Sequence, residues 1–186
     1  SNACAGKFYA KHHMENPSHF VMGENFTFLI AQQGKLAFFK ENEPVWELSL
    51  DDFVPLELLY DVDKQMYIVL TENTLYTFKD SEQKLHKRFS GNELTAISLT
   101  ADKSQVMVGT DDGLISLDSE SFEETAPINK KLPNTKISCI SEINGRLWFG
   151  SAKGAFSLRP DGKYDYYASK RWLVDDEVND ISKGPD

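Results

Sequence analysis

The chain has 186 residues and a formal net charge of −9, with 40% hydrophobic and 26% charged residues. That is the balance of a globular domain with its own core. The acidic balance and the lack of any basic stripe exclude a nucleic-acid backbone as partner. No run approaches the roughly 20 apolar residues that a membrane-spanning helix needs.

Ser1-Asn2-Ala3 reads as a cloning remnant, so residues 1–16 are set apart as remnant and N-terminal segment, with a repeat domain over 17–186. Cys4 follows the remnant directly. It reads either as the start of a lipid-anchored chain or as an incidental cysteine. Lys7–Asn16 is a weak helix candidate, and no segment sustains a helical period. His12, His13 and His19 have no cysteine or carboxylate at ligand spacing, so neither a metal nor a cofactor is expected.

From Phe28 onward the chain repeats. Phe28–Ala31, Ile68–Thr71, Met107–Thr110 and Trp148–Ser151 are apolar runs, each followed by a short polar turn and a second apolar run. Ala31, Thr71, Thr110 and Ser151 recur at intervals of 40, 39 and 41 residues. A second landmark keeps the same phase: Phe89, Leu94 and Ile97; Leu132, Ile137 and Ile140; Leu173, Val178 and Ile181. A period near 40 is that of a four-stranded propeller blade. Units open near 17, 55, 94 and 137, and a fifth opens at 178. The predicted class is therefore all-β: about four propeller-type blades of four antiparallel strands, in an incomplete propeller. A β-sandwich also has short, regularly spaced strands, but does not explain the phase.

The last full unit is the most legible. Ile137–Glu142 alternates apolar and polar residues as an inner strand. Asn144-Gly145 is a type I′ hairpin signal, because both central positions need positive φ. Leu147–Gly150, Ala155–Arg159 and Tyr164–Ala168 complete the unit, with a turn at Pro160-Asp161-Gly162. Trp148 is expected in the core, and Cys139 is expected as a small buried hydrophobe.

This unit resembles the two-component regulator propeller repeat, through Leu132-Pro133, Ile137, Ile140, Asn144–Gly150 and Gly154. The unit Leu94–Leu117 is similar to it through Ile97, Gly109-Thr110 and Gly113. Ser151 stands where the family usually has threonine, and Val174 where proline would follow the leucine. The resemblance implies an extracytoplasmic sensor domain, periplasmic or at the cell surface, often for oligosaccharides and joined to a membrane-spanning kinase.

In a propeller, turns joining second to third strands share one edge with the links between blades. A site there draws on Gln32-Gln33, Glu72-Asn73, Asp111-Asp112 and Ala152-Lys153, and on Asn134-Thr135-Lys136 and Ser169–Trp172. Trp172, Arg171, Lys170, Tyr166 and Tyr167 form an aromatic and cationic group at a blade junction. Aromatic faces stack on sugar rings, and Arg and Lys read hydroxyls or carboxylates; alternatively, Trp172 packs between blades and the cations are solvated. The candidate ligand-binding residues are Trp172, Arg171, Lys170, Tyr167, Asp111, Asp112 and Lys153. Asp111-Asp112 and Asp175–Glu177 lack a calcium-loop spacing and read as solvated loops.

No Gly-x-Ser-x-Gly elbow, phosphate-binding glycine loop or His-Glu-x-x-His motif is present. The expected function is a non-catalytic binding or sensing module for a small molecule or glycan. The alternatives are a protein-interaction scaffold, or an accessory domain of a polysaccharide-acting enzyme. An open arc of blades exposes end faces: Phe20, Phe26 and Phe28 at one end, and some of Leu147, Phe149 and Phe156 at the other. Self-association, closure by 178–182 onto the first unit, or a continuing chain would each cover them.

Overall fold

The computed structural model describes residues 19–49, 51–79, 82–89, 91–125, 132–133, 135–167 and 181, without the side chains of 82–88. All regular structure among them is β. The first sheet runs β1 (His19–Met22), β2 (Thr27–Gln32), β3 (Lys35–Lys40) and β4 (Glu43–Ser49). The second runs β5 (Pro55–Asp61), β6 (Met66–Thr71), β7 (Thr74–Lys79) and β8 (Glu82–Arg88). The third has β9 (Leu94–Leu99), β10 (Gln105–Thr110) and β11 (Gly113–Asp118). The fourth runs β12 (Ile137–Ile143), β13 (Arg146–Ser151), β14 (Gly154–Leu158) and β15 (Tyr164–Tyr167). Each sheet is an antiparallel meander in chain order, which is the blade topology.

The third sheet shows three of the expected four strands among the described residues. Beyond β11 the chain turns at Asp118–Phe122, where the Asp118 carboxylate accepts from the N–H groups of Glu120 (3.0 Å) and Ser121 (2.8 Å). It returns antiparallel to β11 through a bridge between Leu117 and Glu124, and the Thr125 N–H donates to the Ser116 carbonyl at 2.8 Å.

Two compact units divide the chain. One runs to Thr71 and includes Leu75–Leu85; the other takes Glu72–Thr74 and residues from His86 on. In the first unit Leu29, Ala31, Leu36 and Phe38 of β2 and β3 pack with Leu58, Tyr67, Val69 and Phe78 of the second sheet, with Phe53 from the link between them. The opposite face of the first sheet buries Phe28, Ile30, Ala37 and Phe39. Because both faces are buried, these strands read as continuous apolar runs rather than alternating ones. Phe28 was expected at an open face, yet it is 8% exposed, stacked on Phe39 at 5.0 Å. Phe20 and Phe26, at 49% and 78%, are exposed as expected.

In the second unit Ala96, Met107 and Leu114 of the third sheet pack against Ile137, Ile140, Leu147, Phe149 and Phe156 of the fourth. The expectation that some of Leu147, Phe149 and Phe156 show an open face is thereby corrected: all three lie in the buried seam between two blades. Gly109 makes the close approach feasible, since a β-carbon there would stand 2.8 Å from Ile137 Cγ2. The Thr95 hydroxyl donates to the Ile137 carbonyl across the same seam at 2.6 Å.

Trp148 is corrected from core to half-buried. Strand period puts it opposite to Phe149, paired with Ser141 and Ser157, and its ring lies 5.4 Å from that of Tyr167. Cys139 shares that face and is half-buried too. The described residue of the fifth unit, Ile181, accepts a hydrogen bond from the Ser141 hydroxyl on its carbonyl.

Candidate functional site

In the third and fourth sheets the turns between second and third strands are held by hydroxyls. Thr110 Oγ1 donates to the Gly113 carbonyl (3.1 Å) and accepts from the Asp112 N–H (3.1 Å). Ser151 Oγ does the same with the Gly154 carbonyl (2.8 Å) and the Lys153 N–H (3.3 Å). Serine in place of threonine therefore keeps the required atom. Gly113 and Gly154, at φ of 129° and 126°, occupy the region that favours glycine.

These turns clasp the inter-blade links. The Gly34 N–H donates to the Phe53 carbonyl at 2.8 Å, and the Leu94 N–H to the Glu72 carbonyl at 2.8 Å. Asp111 makes a reciprocal pair with Glu93: its N–H donates to the Glu93 carbonyl, and its carboxylate accepts from the Glu93 N–H, both at 3.1 Å. Asp111 is thus a brace, whereas Asp112 and Lys153 project exposed side chains. The two tyrosines expected to act together are split by strand alternation. Tyr166 donates its hydroxyl to the Lys153 carbonyl, while Tyr167 lies on the opposite face with Trp148. Lys170, Arg171 and Trp172 lie outside the described residues.

A second feature was not anticipated. In the first unit a cleft of about 360 Å³ is lined by Glu24, Asn25, Thr27, Phe38, Lys40, Val45, Tyr60, Gln65 and Tyr67. It is built by three turns: β1–β2, β3–β4 and β5–β6. The first is fixed by Thr27, whose N–H and hydroxyl both donate to the Glu24 carbonyl, at 3.0 and 2.6 Å. Asn25 and Phe26 take φ of 52° and 58° there. The Tyr67 hydroxyl donates to Thr27 Oγ1 at 2.7 Å, tying β6 to β2. Gly23 is required for that bond, because a β-carbon would lie 2.0 Å from the Tyr67 oxygen.

The second turn, Glu41-Asn42, joins the paired Lys40 and Glu43 with φ of 51° and 68°, the two-residue type I′ geometry. Register places Lys40 directly opposite Thr27. From the third turn, the Gln65 amide donates to Glu24 Oε2 at 3.1 Å. The wall is aromatic: the Tyr60 and Tyr67 rings are 4.7 Å apart, and Phe38 meets Tyr67 edge-on at 5.7 Å. Among the described residues Lys40 has no ion-pair partner, and the Glu24 carboxylate holds one amide hydrogen bond and no cation.

At the start of the same sheet pair, burial pushes the His19 imidazole below its ordinary value, against a smaller upward pull from its hydrogen bond with the Leu56 backbone. In the second unit burial raises the Tyr164 phenol, which lies edge-on to Phe156.

No protein-family model and no curated protein matches the chain. Solved structures do. The extracellular domain of a hybrid two-component system protein from B. thetaiotaomicron superposes with a TM-score of 0.71 at 14% identity, over 88% of this chain and 24% of that one. A virginiamycin B lyase from Staphylococcus aureus, in a catalytically inactive form with quinupristin, gives 0.68 at 13% identity, over 86% and 57%. The β-propeller domain of Swd1 from Myceliophteria thermophila gives 0.57 at 15%, over 76% and 54%. The chain thus spans about a quarter to just over half of these neighbours. At such identities the likeness establishes fold, and it is the fold that the repeat resemblance implied: four antiparallel sheets of propeller-blade type, shared with extracellular domains of two-component proteins.

Proposed function

We propose that the chain is a ligand-binding or sensing module that does no chemistry of its own and works outside the cytoplasm. The observation that carries this reading is the cleft of the first unit. It joins an aromatic wall to Lys40, which has no ion-pair partner among the described residues, and to the Glu24 carboxylate, on turns fixed by hydrogen bonds, which is the make-up of a small-ligand site. Its lining holds no histidine, cysteine or serine. Its hydroxyl pair, Tyr67 and Thr27, is occupied in holding the turn. The likeness to extracellular domains of two-component proteins supports sensing and an extracytoplasmic setting.

The exposed turns of the second unit are a separate contact edge. There Asp111, Asp112, Lys153 and Tyr167 would act with Lys170, Arg171 and Trp172 on a glycan or other small ligand. Exposed Phe20 and Met22, at 49% and 62%, favour a second reading, a protein-docking face on the first sheet. Calorimetric titration of the full chain with small molecules and oligosaccharides tests the main reading. Saturable binding is expected, lowered by Tyr60→Ala for ligands of the cleft and by Lys153→Ala for ligands of the turn edge. Turnover of a bound compound, or loss of neither binding mode in these variants, refutes the reading.

A further inference from the structure

The cleft of the first unit holds a carboxylate and an ammonium that do not pair with each other. Glu24 Oε2 accepts from Gln65, and its second oxygen has no partner among the described residues. The Lys40 ammonium, on the strand position opposite Thr27, has no ion-pair partner among the described residues. The same cleft is lined by the Tyr60, Tyr67 and Phe38 rings and by Val45, which is half exposed.

Four ligand chemistries can be weighed against that lining. A monocation gains Glu24 and the ring faces but meets Lys40. A monoanion gains Lys40 but meets Glu24, in a chain of net charge −9. A neutral polyol gives both ions only dipoles while displacing water from them, which costs more for a charge than for a neutral group. A ligand with both charges satisfies both ions, and an apolar body between its charges covers the rings.

We propose that this cleft takes a small zwitterion with an apolar body, of which an aromatic α-amino acid is the simplest member. Its ammonium would sit at Glu24 and the Tyr60 ring, its carboxylate at Lys40, and its side chain along Phe38 and Val45. The volume of about 360 Å³ suits one such molecule. The assignment rests on the reading of the cleft as a binding site.

The test is nuclear magnetic resonance of the full chain, following the Val45 methyl groups. The probes are L-phenylalanine, phenethylamine, 3-phenylpropanoate and cellobiose. L-Phenylalanine is expected to shift the Val45 signals saturably and to bind about tenfold or more tightly than either mono-ion, since each charge-assisted contact is worth about that factor. Glu24→Gln and Lys40→Met should each weaken L-phenylalanine by about tenfold. Lys40→Met should not weaken phenethylamine, and Glu24→Gln should not weaken 3-phenylpropanoate. Unchanged melting temperatures certify that both variants fold. Equal loss for all probes in both variants overturns the assignment. A Val45 shift with cellobiose but not with L-phenylalanine overturns the zwitterion while leaving the cleft a binding site. Silence of Val45 toward every probe overturns the zwitterion, and silence toward the wider titration series as well overturns the binding reading with it.

Discussion

Gly109 tests whether the third and fourth blades pack as described. Its backbone lies outside the left-handed region, so only space opposes a side chain. In Gly109→Ala the new β-carbon would stand 2.8 Å from Ile137 Cγ2, 3.1 Å from Thr95 Oγ1 and 3.2 Å from Ile137 Cβ. Ile137 is fully buried among Ala96, Met107 and Phe149, and a β-branched side chain has little χ1 freedom with which to yield. The strain therefore passes to the backbone, pulling β12 from β10 and lengthening the Thr95 hydroxyl's bond to the Ile137 carbonyl. Overpacking of this kind costs about 1–3 kcal/mol, offset by roughly 0.5–1 kcal/mol from the lower chain entropy of unfolded alanine. The expected net loss is about 1–2 kcal/mol in urea unfolding. Ile137→Ala removes the opposing methyl and alone costs about 2–5 kcal/mol. The double variant should be less destabilised than the sum of the two by at least about 1 kcal/mol, because the shortest contact, that with Cγ2, is gone. Additivity within about 0.5 kcal/mol, the behaviour of independent sites, would refute direct packing of Gly109 on Ile137.

Trp148→Ala should cost less than Phe149→Ala, which removes a fully buried ring and should lose about 3–5 kcal/mol in the same unfolding assay; the reverse order would restore Trp148 to the core. Ser151→Thr should keep the turn hydroxyl and its stability, while Ser151→Val leaves the Gly154 carbonyl without its donor and should lose about 1–3 kcal/mol by thermal melt. Asp102, held down to about 2 from 3.8 by hydrogen bonds from Thr100 and Ser104, stabilises the fold above pH 3.8, and the gain is lost as pH falls through 2. Asp102→Asn should flatten stability over that window, and an unchanged slope argues against it. Burial disfavours the charged form of His19 and lowers its pKa, so its contribution is full above 6.5 and stability falls as pH drops from there through the lowered value. His19→Gln should reduce the pH dependence below 6.5, measured by melting temperature.

The blades were legible because their signals are local. The Asn144-Gly145 hairpin needed only two adjacent residues, and both take positive φ, 53° and 79°. The strand phase followed from apolar runs whose hydrogen bonding is sequential within each sheet. What failed was parity. In Leu147-Trp148-Phe149 all three positions are apolar, so the alternation that assigns a face is silent. The bulge between Ile137 and Cys139 shifts the register further. One residue's slip exchanges the two faces of a strand, which is why Trp148 and Phe149 traded the environments expected of them. The same alternation separates Tyr166 from Tyr167, adjacent in sequence but opposed across β15.

The cleft was not legible for a different reason. Glu24, Lys40 and Gln65 each look like an ordinary polar residue at a hairpin, and no spacing links them. They meet because β2 and β3 pair Thr27 with Lys40, and because Tyr67 reaches from the second sheet to Thr27. One local clue was available. Gly23 sits at the end of a short strand, and the bond that its missing side chain permits is the one that orients the turn. If that bond organises the cleft, Tyr67→Phe should lower stability by only about 0.5–1.5 kcal/mol yet weaken any ligand of the cleft more than its stability loss explains, by freeing Thr27 and with it Glu24. Gly23→Ala should do both more severely, since its β-carbon would still lie 2.8 Å from Tyr67 Cζ after the hydroxyl is gone. Tyr67→Phe therefore should not rescue Gly23→Ala fully. Full rescue, read as a melting temperature equal to that of Tyr67→Phe alone, would show that the hydroxyl is the whole of the steric conflict and that the ring has room to move, and the cleft wall would then be softer than its packing implies.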